Sequence, residues 1–172
     1  AARGRTAPGA PLDAASLRLL TDDGRRYFAD PFLFPHDGRL HLFVEELPYA
    51  TGRGIVSASV LADDGRFTPP RPVLEQDFHL SYPQVFAEGG AIYMLPEASQ
   101  SGSLDLYRAE PFPDRWVHAA RILDGHYHDA TLFRHEGRLW IAAGSVTRGS
   151  ATWDGLALFH ADTLTGPWRP HP

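Results

Sequence analysis

The chain has no cysteine and a single methionine. Without cysteine it can build neither a disulfide scaffold nor a thiolate zinc site. The compartment stays open, since many secreted proteins also lack disulfides. Basic residues are in the minority, 16 Lys and Arg against 21 Asp and Glu, for a net charge of −5. That balance argues against nucleic acid or an anionic membrane surface as partner. No apolar run approaches the ~18 residues of a membrane-spanning helix. There is no Gly-x-x-x-x-Gly-Lys-Ser/Thr loop, and Gly52-Arg53-Gly54 lacks the strand–helix context of a dinucleotide cradle. Ser81 stands in Leu80-Ser81-Tyr82-Pro83 rather than in a Gly-x-Ser-x-Gly elbow, so a Ser/His/Asp hydrolase is not indicated. No cofactor is expected. No signal peptide is visible, and the start at Ala1 reads as a trimmed or partial N-terminus.

What is present is a chain of 172 residues, enough for one domain with a core, at 43% hydrophobic content. Aromatics make up 12%, with 16 glycines and 15 prolines. Many short strands joined by tight turns would use residues in this way. The first sixteen residues, rich in Ala, Gly, Pro and Arg, read as a flexible lead-in. Leu17-Arg18-Leu19-Leu20 reads as an outer strand.

From there one pattern recurs at a period of ~50 residues. Asp30-Pro31-Phe32-Leu33-Phe34, a turn at His36-Asp37-Gly38-Arg39 and Leu40-His41-Leu42-Phe43-Val44-Glu45 form an apolar hairpin ending in acid. Tyr82-Pro83-Gln84-Val85-Phe86 with Ile92-Tyr93-Met94-Leu95-Pro96-Glu97 repeats it. Asp129-Ala130-Thr131-Leu132-Phe133 with Leu139-Trp140-Ile141-Ala142 repeats it again. A second half recurs as well. Strands starting at Ile55, Leu104 and Leu156 are each followed, twelve residues on, by Phe67, Trp116 and Trp168. Units of ~40–50 residues with four strands are β-propeller blades. The expected blades cover approximately 27–76, 77–124 and 125–172. A β-sandwich gives no reason for aromatics to repeat in register. Three blades do not close a ring, and the third stops before a last strand could return. The chain therefore reads as a piece of a longer one, whose remaining blades would be its partners.

The turns convert this repeat into chemistry. A hairpin centred between Asp37 and Gly38 sets Asp30 opposite Glu45. One centred between Gly89 and Gly90 sets Tyr82 opposite Glu97. One centred between Glu136 and Gly137 sets Asp129 opposite Gly144. Since first strands line a propeller's channel, Asp30, Glu45, Glu97 and Asp129 are expected at one mouth, with His79, Ser81 and Tyr82 beside them. Crowded carboxylates suit acid/base work because proximity raises some of their pKa values. The plainer reading is that each Asp caps a turn. His126-Tyr127-His128-Asp129 resembles a ligand cluster, but alternation along a strand leaves one shared face, and no metal is assigned. Phe78, Tyr82, Tyr127 and Trp140 offer flat faces that suit sugar rings. Phe67, Trp116 and Trp168 read as blade packing.

Ala29-Asp30-Pro31-Phe32-Leu33, Phe43-Val44-Glu45-Glu46, His79-Leu80-Ser81-Tyr82-Pro83, Met94-Leu95-Pro96-Glu97, Leu106-Tyr107-Arg108-Ala109, Asp129-Ala130-Thr131-Leu132-Phe133 and Gly166-Pro167-Trp168-Arg169-Pro170-His171-Pro172 occur in that order. Together they resemble the propeller domain at the N-terminus of plant glucosamine inositolphosphorylceramide transferases and of related bacterial proteins. The resemblance covers roughly residues 27–172. It implies an all-β fold, a partial five-bladed β-propeller with about three four-stranded blades present, distantly similar to family 43 and family 32 glycoside hydrolases. By that likeness Asp30 would be base or nucleophile and Asp129 the supporting acid, with Glu97 as possible proton donor. Glu45, His79, Ser81, Tyr82 and His128 would bind substrate, a carbohydrate or glycoconjugate. A hydrolase would need two carboxyls ~5–5.5 Å apart for retention or ~6.5–9.5 Å for inversion. A non-catalytic glycan-binding module and a protein-interaction propeller are the alternatives.

Overall fold

A computed structural model describes residues 23–146, 151 and 154–171. The lead-in and the expected strand at Leu17–Leu20 lie outside them. The described residues form twelve strands in three four-stranded antiparallel sheets. The first sheet holds β1 (Arg26–His36), β2 (Arg39–Pro48), β3 (Ile55–Val60) and β4 (Arg71–Leu74). The second holds β5 (Ser81–Glu88), β6 (Ala91–Glu97), β7 (Ser103–Ala109) and β8 (Trp116–Asp124). The third holds β9 (Tyr127–His135), β10 (Arg138–Ser145), β11 (Gly155–Ala161) and β12 (Arg169–Pro170). Within each sheet the strands lie in chain order, so each sheet is an up-and-down meander. The chain is a partial β-propeller of three blades. Its third blade does have a fourth strand, the two-residue β12 paired to β11, where the sequence reading had it stop short.

The three inner hairpins turn on two residues each. Asp37-Gly38, Gly89-Gly90 and Glu136-Gly137 all have positive φ, between 46° and 81°. Two consecutive left-handed residues give a turn whose twist matches that of the flanking strands. Glycine at the second place carries that conformation without a steric penalty.

The hydrophobic core lies between blades rather than within one. Phe43, Val56, Leu74, Leu80, Met94 and Trp116 form one cluster between the first two sheets. Leu95, Leu104, Leu106, Ile141 and Phe159 form another between the second and third. Inner strand β1 packs on β5, and β5 on β9, which sets the three strand starts side by side. Trp116 and Trp168 each donate an indole N–H to the carbonyl of a preceding loop residue, Pro113 and Leu164. Their rings pack on the two clusters, the blade-packing role read from the sequence.

Candidate functional site

All three inner strands break their ladder at the same place. In β1 the pairing passes from Phe32–Phe43 to Ala29–Glu45, in β5 from Gln84–Leu95 to Ser81–Glu97, and in β9 from Thr131–Ala142 to His128–Gly144. A one-residue bulge in each strand moves the partner by one. Asp30, Tyr82 and Asp129 therefore do not face Glu45, Glu97 and Gly144 directly; Ala29, Ser81 and His128 do. The expected registers hold from the turn to the bulge and fail beyond it.

Each bulge carries one left-handed residue that is not glycine: Asp30 at φ 49°, Tyr82 at 45° and Asp129 at 49°. Such a conformation is uncommon for any residue with a Cβ, and least expected of tyrosine. At two of the three bulges the displaced backbone N–H finds a carboxylate from the preceding blade. Asp30 Oδ2 accepts the Tyr82 N–H at 3.1 Å, and Glu97 Oε2 accepts the Asp129 N–H at 3.2 Å. Two further links cross from the second blade to the third. The Tyr82 hydroxyl lies 3.0 Å from Thr131 Oγ1. The Gln84 amide clamps Leu132, donating to its carbonyl at 2.9 Å and accepting its N–H at 2.7 Å.

These links gather the predicted acids. Glu45 is buried, and its carboxyl is pushed up to about 7, by burial first and then by the charges of Asp30, Glu97 and Asp129. Partial enclosure, a hydrogen bond shared with Glu97, and the charges of Glu97 and Asp30 push the Asp129 carboxyl up to about 6, against a smaller opposing effect of His128. Asp129 remains open to water at the rim, so the Glu97 contact weighs most there. Glu97 also accepts the Ser99 hydroxyl at 3.2 Å and lies 3.3 Å from His128 Nδ1. His79 places Nε2 3.2 Å from Glu45 Oε1. Ser81 is buried at the start of β5, opposite Glu97 in the ladder.

Three of the four aromatics proposed for sugar faces are elsewhere engaged. Phe78 and Tyr127 pack on the core clusters. Trp140 sits among Phe133, His135, His160 and His171, towards the far end of its blade. Tyr82 stays at the mouth, its ring edge-on to Phe32. Sequence reasoning missed Tyr27, whose hydroxyl is pushed up by partial burial and by the charges of Glu45 and Asp30, and which lies against the exposed Tyr49. It also missed Gln84, Thr131 and Gly54, which only spatial packing connects to the acids. His126 bonds the Ser99 carbonyl through Nδ1. Among the described residues no group of three His, Asp or Glu has metal-holding geometry, and no helix is long and apolar enough to cross a membrane.

The fold recurs in solved carbohydrate enzymes. A family 43 protein from the xyloglucan locus of Bacteroides ovatus superposes with a TM-score of 0.65 at 18% identity, over 84% of this chain and 29% of that one. A family 117 glycoside hydrolase from Zobellia galactanivorans gives 0.64 at 14% identity, over 91% and 58%. In sequence, the chain is 36% identical over 147 residues to glucosamine inositolphosphorylceramide transferase 1 of Arabidopsis thaliana, covering 84% of this chain and 19% of that protein. The protein of the same name from Oryza sativa subsp. japonica is 32% identical over 147 residues, with 84% and 20% covered. The chain thus spans about a fifth of these plant relatives. Residues 15–172 match the family described as glucosamine inositolphosphorylceramide transferase 1, N-terminal, and the chain belongs to that family.

Proposed function

We propose that this chain is the carbohydrate-handling propeller of a larger glycosyltransferase-related protein, and that its acidic mouth does acid/base chemistry at an anomeric carbon. In this reading Asp30 is the base or charge stabiliser, and Asp129 with Glu97 forms a proton-sharing pair beside it. Ser81, Tyr82, His79 and His128 contact the hydroxyls of a bound carbohydrate or glycoconjugate. The observation that carries the reading is the convergence of Asp30, Glu45, Glu97 and Asp129 from three blades, two of them with carboxyls held well above the usual range. Carboxyl groups in different protonation states side by side are what glycosyl chemistry needs.

The structure also gives grounds for a second reading, a glycan-binding module without catalysis. Asp30 and Glu97 each commit an oxygen to a backbone N–H of the next blade, as a structural carboxylate would. A panel of aryl glycosides and oligosaccharides, assayed for binding and for turnover, separates the two. Catalysis predicts that Asp30→Asn keeps binding and loses turnover by about a hundredfold or more. Wild-type binding without turnover, weakened in Asp30→Asn, would establish the binding module instead.

A further inference from the structure

The inner hairpins of the three blades are alike from turn to bulge and differ beyond it. Strand β1 begins at Arg26, four residues before Asp30, whereas β5 begins one residue before Tyr82 and β9 two before Asp129. On the partner side β2 runs past Glu45 to Pro48, while β6 ends at Glu97 itself. The pairs Phe28–Glu46, Tyr27–Leu47 and Arg26–Pro48 therefore carry the first hairpin beyond the acids. The Tyr49 N–H closes the extension on the Arg25 carbonyl at 2.8 Å. At ~3.3 Å per residue, the first blade stands above the mouth by roughly 10 Å.

The two sides of this extension differ. Side chains alternate along a strand, and cross-strand partners share a side. Arg26 and Glu46 take one side. Glu46 is buried, pairs with Arg26 and accepts the Ser57 hydroxyl at 2.6 Å, and Asp23 holds Arg26 in turn at 3.1 Å. These contacts brace the extension from behind. Tyr27 and Leu47 take the other side, in step with Glu45 and with Phe43, which packs against the second blade. That side looks across the mouth. Tyr27 is 39% exposed and Tyr49 56%, with ring centroids 6.4 Å apart and planes inclined at 47°. Partial burial, and then the charges of Glu45 and Asp30, push the Tyr27 hydroxyl up, so it stands in the field of the mouth's own acids.

Single exposed aromatics are ordinary on a protein surface. Two of them on a braced extension, continuous with an acid cluster, are a different case. Tyrosine offers an apolar ring face with a hydroxyl at its edge, which matches a sugar ring with its apolar faces and polar rim. Its two χ angles leave little entropy to lose on binding, and a strand pair fixed beforehand leaves less. We propose that Tyr27 and Tyr49 form a second sugar subsite, holding the sugar that adjoins the one at the acids, so that the chain takes a unit of at least two sugars. The proposal rests on the reading that the mouth handles carbohydrate. Tyr49 stacks on a face of the second ring, and the Tyr27 hydroxyl bonds a hydroxyl on the side nearer the acids. Both residues set the length of carbohydrate that is recognised, and neither touches the reacting atoms.

The test is equilibrium binding to the full chain, with tyrosine-ring ¹³C resonances reporting where each ligand sits. The probes are α- and β-linked disaccharides of glucose, glucosamine, mannose and xylose, the parent monosaccharides, and their octyl glycosides. The expected result is a disaccharide that binds at least about tenfold tighter than its monosaccharide and shifts the Tyr27 and Tyr49 rings. In Tyr49→Ala and in Tyr27→Ala that affinity ratio should fall to near one. Tyr27→Phe, which keeps the ring and its packing, should lose part of it. An unchanged ratio in both alanine variants would overturn the proposal. So would an octyl glycoside that outbinds the disaccharide, since the rings would then serve an apolar chain. Monosaccharide binding with no gain from a second sugar would remove the subsite and leave the glycosyl reading standing. A wild-type chain that binds none of the probes would remove both.

Discussion

At Asp30 one carboxylate oxygen accepts the Tyr82 N–H, while the backbone sits in the left-handed region. Asparagine offers the same acceptor and tolerates that conformation; alanine does neither well. Asp30→Asn is therefore expected to unfold within about 0.5 kcal/mol of wild type in urea, and Asp30→Ala to lose about 1–3 kcal/mol. Glu45 carries a pH signature. Its folded value of about 7 lies above its ordinary 4.5, so the folded chain holds a proton that the unfolded chain releases. Its stabilising contribution is full below 4.5 and is lost as pH rises towards 7. Glu45→Gln removes that loss. Thermal melts should show the variant ahead of wild type by on the order of 1 kcal/mol at about pH 8, and level with it at about pH 4. The grouping of Asp30, Glu45, Glu97 and Asp129 was legible in the sequence, because one hairpin pattern ended in acid at the same phase of successive repeats. The sharing of roles among them was not. The folded chain alone brings Ser99 and His128 to Glu97 and His79 to Glu45.

At the scale of the strand, the bulge decides where each side chain goes. It was invisible in sequence because its left-handed residues are Asp, Tyr and Asp, whereas a glycine there would have flagged it. The turns were legible for the opposite reason. Asp37-Gly38, Gly89-Gly90 and Glu136-Gly137 place glycine where a two-residue hairpin needs positive φ. The aromatics misled because ring faces suited to sugar also suit a blade interface, and Phe78 and Tyr127 are used for the latter. Between the second and third inner strands, the Gln84 clamp on Leu132 replaces ladder hydrogen bonds that two separate sheets cannot make. Gln84→Ala would leave both Leu132 backbone groups without those partners. Equilibrium denaturation is expected to show a loss of about 2–3 kcal/mol. Amide exchange at Leu132 should accelerate more than at Leu42, on the corresponding strand pair of the first blade.

Across the whole molecule, stability resides at the blade junctions. Phe112 reaches out of the β7–β8 connection and packs its ring on Phe34, His36, His41, Phe43 and Trp116. Phe112→Ala should cost about 3 kcal/mol and expose the first junction to exchange before the second. The repeat itself, and with it the propeller, was legible from period and composition, because each blade must bury the same two faces against its neighbours. The mouth exists only if those junctions hold three strand starts together. The most direct measurement of that claim is the carboxyl titration of Glu45 and Asp129 in Asp30→Asn. Asp30, on β1, adds to the effect of burial at both, so removing its charge should lower both midpoints together, from near 7 and near 6, by a part of their shift. Midpoints that stay where they were in the variant would mean that the acids of the three blades do not share an opening.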